Sequence, residues 1–83
     1  MYKIILLNSA RKSLKRIPSN MRKKIGEEID KLSFNPFIGK KLEGDLQGRY
    51  AIRVWPYRIL YRIERKIVTV FILDIGHRQG IYK

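Results

Sequence analysis

Cysteine is absent from this chain, and histidine occurs once, at position 77. The first absence excludes a disulfide framework, a thiolate metal site and a thiol nucleophile. With one histidine, a zinc centre lacks its usual ligands, so neither metal nor cofactor is expected. Acidic residues are few: seven, against 19 Lys plus Arg, for a formal net charge of +12 over 83 residues. No paired carboxylates sit in an apolar setting, no serine has a histidine–acid partner nearby, and the P-loop and dinucleotide fingerprints are missing. No apolar run approaches the ~20 residues that span a bilayer. Tyr2 to Leu7 is too short for a signal-peptide core and has no small-residue cleavage site after it. A cytoplasmic chain without a membrane partner is therefore expected.

What remains is dominated by positive charge on a chain of single-domain length, residues 1–83. That field concentrates polyanions, which favours nucleic acid, a ribonucleoprotein surface or an acidic protein as partner. A membrane-surface role would place the cations along one amphipathic helix, whereas here they are spread over the whole chain.

Tyr2 to Leu7 reads as a strand that is apolar on both faces and therefore well covered. Asn8-Ser9 offers N-cap chemistry, and Ala10, Leu14 and Ile17 follow at helical spacing. Pro18 ends that helix, and Ser19 or Asn20 is placed to cap the next, whose stripe is Met21, Ile25, Ile29 and Leu32. On its polar face, Glu27 and Glu28 are spaced to pair with Lys23, Lys24 or Lys31. Residues 35–39 form a break, and 40–48 a basic, glycine-rich loop. Ile67 to Leu73, apolar on both faces and β-branched, reads as a central strand. The expected fold is α+β: an N-terminal strand, then a helical hairpin packed on one face of an antiparallel sheet whose last three strands form a meander.

The stretch from Arg49 to Tyr61 organises the chain. Strand side chains alternate between faces, so Tyr50, Ile52 and Val54 share one face while Arg49, Ala51 and Arg53 share the other. After Trp55-Pro56, where a turn belongs, Tyr57, Ile59 and Tyr61 alternate with Arg58, Leu60 and Arg62. Folded as a hairpin, this ribbon has one apolar face and one face with four arginines. Tyr50, Tyr57 and Tyr61 read as packing residues. Trp55 reads as covering the end of the core, with base stacking as the alternative.

The groups left for chemistry are cations and phenols: Arg53 and Arg58 on the open face, and His77, Arg78 and Tyr82 in the tail. Such parts suit metal-free cleavage of RNA. The 2′-hydroxyl must lose a proton, the phosphorane's charge must be stabilised, and the leaving 5′-oxygen must gain a proton. An arginine fork serves the second task, and a tyrosine or histidine the others. Arg49, Arg62, Lys40 and Lys41 are candidates to hold RNA backbone.

At these residues the chain resembles the RelE/ParE toxin superfamily of type II toxin–antitoxin systems. The likeness rests on Lys41-Leu42-Glu43-Gly44, on Tyr50 to Val54 leading into Pro56 to Tyr61, and on the ending Gly76-His77-Arg78-Gln79-Gly80-Ile81-Tyr82. The resemblance implies a ribosome-dependent endoribonuclease that cuts mRNA in the A site. Tyr82 would be its proton-transfer and base-stacking residue, and Arg58 and Arg78 would hold the phosphate. Arg53 matches a lysine of the best-known enzymes, and Ala51 stands where they carry another. His77 occupies a position that is often basic and could donate a proton. A cognate acidic antitoxin is the implied protein partner, with ribosome and mRNA as targets. Two alternatives stay open: a DNA gyrase inhibitor of the ParE kind, and a basic RNA- or ribosome-binding protein without catalysis.

Overall fold

A computed structural model describes residues 1–77. The elements are β1 (Lys3–Leu6), α1 (Asn8–Arg16), α2 (Ser19–Phe34), β2 (Lys40–Lys41), β3 (Arg49–Val54), β4 (Tyr57–Glu64) and β5 (Thr69–His77). Single 3-10 turns cover Pro36–Ile38, Gly44–Leu46 and Arg65–Ile67. The strands form one five-stranded sheet in the order β1-β5-β4-β3-β2. Strands β2 to β5 are antiparallel to their neighbours, but β1 lies parallel to β5, with Lys3 opposite Thr69 and Leu6 opposite Ile72. The α+β class and the closing meander are as expected. The sheet itself is mixed, not wholly antiparallel. No helix among the described residues is long and apolar enough to cross a membrane.

Both helices lie on one face. Ala10 and Ile17 from the first helical stretch, and Ile25, Ile29 and Leu32 from α2, join Ile59, Tyr61, Val70, Ile72 and Ile75 in one buried cluster. Each of the buried Ile, Leu and Val side chains contributes about 1.5–3 kcal/mol by leaving water. Residue Ser13 of α1 donates its hydroxyl to Asp74 Oδ1 at 3.1 Å, fastening the helix to β5 beside a bulge in the β4–β5 ladder. The end of α1 carries Lys15 and Arg16, whose charge suits the helix C-terminus.

Several local expectations shift. Neither Asn8-Ser9 nor Ser19-Asn20 caps by a side chain. The cap residues are Leu7 and Pro18, whose carbonyls accept from Arg11 and Arg22 at 3.0 and 2.9 Å, so each helix starts earlier. On the polar face of α2 the pair that forms is Glu28 with Lys31, at 3.2 Å. Strand β1 is an edge strand and only half-buried, because its apolar faces meet one neighbour rather than two. The central strand begins at Thr69 and not Ile67, since Val68 takes a left-handed conformation (φ 48°) after the 3-10 turn. It runs on to His77, between β1 and β4. The basic loop also contains a strand, because Lys40 and Lys41 pair with Ala51 and Tyr50.

Candidate functional site

The β3–β4 ladder is regular from Arg49 opposite Arg62 to Val54 opposite Tyr57. Directly opposed residues share a face, so the alternation read along each strand carries across the pair. Tyr50 faces Tyr61 and Ile52 faces Ile59 on the helix side, while Arg53 faces Arg58 on the open side. Between the two arginine rungs, Ala51 faces Leu60, and both are buried at 8% and 6% exposure although they stand outside the core cluster.

The two arginine rungs differ. At the far end from the Trp55-Pro56 turn, Arg62 lays its guanidinium over the Phe71 ring, 4.2 Å from the centroid, and pairs with Glu64. Near the turn, Arg53 and Arg58 border a groove of about 270 Å3, lined in strand order by Ile38, Gly39 and Lys40, then Ala51 and Ile52. Four residues of strand, about 13 Å, separate the rungs. Two like charges on opposed strand positions repel, and an anion between them turns that repulsion into attraction. The planar donor forks of this arginine pair match the oxygens of a phosphodiester.

The groove's edge is set from behind by Tyr61. Its hydroxyl donates to the Pro36 carbonyl at 2.7 Å and accepts from the Gly39 N–H at 3.0 Å, while its ring stacks on Tyr50 at 5.5 Å. Burial pushes the Tyr61 phenol up to about 12, with the Gly39 N–H opposing that shift. A phenol so placed is a structural donor and not a proton-transfer group. A Cβ at position 39 would come 2.3 Å from the Tyr61 oxygen, so any residue other than glycine forces its neighbours to shift. Tyr61 is the packing residue its alternation implies. Its hold on residues 36–39 had no sequence signal beyond the neighbouring Pro36 and Gly39.

Some candidate residues fall elsewhere. Lys41 pairs with Tyr50 and so takes the opposite face of β2 from Lys40. His77 pairs with Tyr57, and their rings meet edge-on at 6.3 Å, while Gly76 is the residue opposite Arg58. The sheet therefore puts His77 on the side away from Arg53 and Arg58. Trp55 is 59% exposed at the hairpin tip and does not cover the core. Arg78 and Tyr82 lie outside the described residues.

Comparison with known proteins gives one consistent picture. A family model described as the ParE toxin of type II toxin–antitoxin system, parDE, matches residues 4–82. The chain is similar to Toxin RelG of Mycobacterium tuberculosis, with 34% identity over 84 residues that take in 99% of this chain and 97% of that protein. It is similar also to Toxin RelE of the same organism, with 28% identity over 88 residues, 99% of this chain and 87% of that one. Among solved structures, the toxin–antitoxin complex RelBE2 of M. tuberculosis contains a chain that superposes with a TM-score of 0.86 at 34% identity, covering 93% of this chain and 98% of that one.

Proposed function

The chain belongs to the RelE/ParE superfamily of type II toxin–antitoxin toxins, and from that membership we propose that it is a RelE-type endoribonuclease, cutting mRNA in the ribosomal A site without a metal. The observation that carries this reading is the facing pair Arg53 and Arg58, both lining one groove. In the reaction, the 2′-hydroxyl oxygen attacks the adjacent phosphorus and the bond to the 5′-oxygen breaks, leaving a 2′,3′-cyclic phosphate and a 5′-hydroxyl. Arg53 and Arg58, with Arg78, neutralise the charge that builds on the non-bridging oxygens, where always-charged donors act most strongly. Tyr82 is assigned the proton transfer and stacking on a base. His77, held against Tyr57, is assigned the placing of the chain that leads to Arg78, not the proton transfer itself.

Arg49, Arg62 and the basic faces of the helices are assigned to RNA backbone, where affinity falls with salt. An acidic antitoxin is the proposed protein partner: the +12 charge would steer an anionic segment to this surface, and a similar chain is solved in a toxin–antitoxin complex. These targets place the protein in the cytoplasm.

The description of the matching family model favours a second reading, a gyrase inhibitor of the ParE kind. Primer extension on an mRNA translated in vitro separates the two. Codon-phased cuts that require ribosomes and vanish with Tyr82→Phe are the expected result. Normal translation without cuts would favour gyrase, and stalled translation without cuts a ribosome binder lacking catalysis.

A further inference from the structure

The β2–β3 ladder brings a third cation to the groove. Lys40 lies directly opposite Ala51, one rung from Arg53, so its side chain leaves the sheet on the same face as Arg53 and Arg58. It lines the same groove as those two arginines. Ala51 contributes only a methyl group there, which leaves the space over that rung to the Lys40 stem. The position of Lys40 is also mechanically defined. The residue before it, Gly39, is bonded to the Tyr61 hydroxyl and packed so closely that no Cβ fits. Lys41, by contrast, carries the same charge on the other face.

We propose that Lys40 binds the RNA phosphate together with Arg53 and Arg58, as a groove residue distinct from the general basic surface. This rests on the groove's being an RNA-phosphate site, and it adds that the three cations come from three adjacent strands. The ammonium reaches over the alanine rung as a compact, hydrated charge, complementing the two planar forks.

The test measures binding of a 2′-O-methyl hexanucleotide, which lacks the attacking hydroxyl, to the full chain over a series of salt concentrations. Lys40→Ala is expected to weaken binding about tenfold and to lower the slope of log Kobs against log salt by about 0.7. Lys41→Ala, an equal loss of charge on the opposite face, is expected to weaken it less than about twofold. Lys40→Arg should retain most of the binding, and the double variant Lys40→Ala/Ala51→Lys should recover it by supplying the charge from the facing position. Equal losses for Lys40→Ala and Lys41→Ala, or no binding by the unaltered chain, would overturn the proposal. If mRNA is never cut but Lys40→Ala still loses more than Lys41→Ala, the nuclease reading falls and the role of Lys40 stands. If mRNA is cut but the two losses are equal, the reverse holds.

Discussion

The Gly39 N–H and the Tyr61 hydroxyl sit 3.0 Å apart, and a methyl group added at position 39 would approach that same oxygen to 2.3 Å. One contact thus ties β4, at the centre of the sheet, to the residue that leads into the short edge strand β2, and it holds the wall of the groove that Lys40 lines.

Gly39→Ala must move either the Tyr61 ring or the Ala51 carbonyl, since the added carbon also comes 2.9 Å from that oxygen. A stability loss of about 1–3 kcal/mol is expected, read as a lower urea midpoint. Tyr61→Phe removes both hydrogen bonds without adding volume and should cost about 1–2 kcal/mol. If either variant matched the unaltered chain in urea, the clamp would be of no consequence.

Alkaline pH should act on the same group. The Tyr61 phenol is raised from 10.0 to about 12 by burial, so it keeps its proton in the folded chain where the unfolded chain has lost it. Unfolding then releases a proton, and stability falls as pH rises from about 10 through about 12. Below pH 10 this contribution is fully present. Tyr61→Phe should remove this part of the decline, visible as a flatter midpoint-against-pH curve than the parent chain's over that window.

Arg53→Ala and Arg58→Ala are each expected to slow single-turnover mRNA cleavage by about 100-fold, the usual scale for removing one stabiliser of transition-state charge. Ribosome binding should change much less. Parallel losses in cleavage and in binding would make these residues part of the docking surface instead.

His77→Gln is expected to reduce cleavage less than about tenfold and to leave its pH profile in place, since general acid–base catalysis contributes about 100-fold or more. The reason is topological: His77 meets Tyr57 on one side of the sheet, while Arg58 stands on the other, opposite Gly76. Loss of an acidic or basic limb in the profile would restore His77 as a proton donor.

Val68 holds φ at 48°, a conformation that a β-branched residue adopts only at a cost. It is 45% exposed, so replacement disturbs little packing. Val68→Asn should raise stability by about 1 kcal/mol by relieving that strain, and an unchanged or lower urea midpoint would count against it.

Much of this protein is written locally. Period-two alternation from Arg49 to Val54 and from Tyr57 to Arg62 determined the two-faced ribbon, and the Trp55-Pro56 break placed its turn. Helical spacing marked Ile25, Ile29 and Leu32 as core, and the charge balance pointed to an anionic partner. These properties depend on neighbours within a few residues, where the geometry of one strand or one helix decides which side chains share a face. Other properties depend on which distant segments pair. The parallel seating of β1 on β5, the recruitment of Lys40 and Lys41 into the sheet, and the opposite faces of His77 and Arg58 all follow from strand order and register. So does the assignment of Lys40, not Lys41, to the groove. A shift of one residue in pairing would exchange them, and that pairing joins separate segments of the chain, beyond the reach of local alternation.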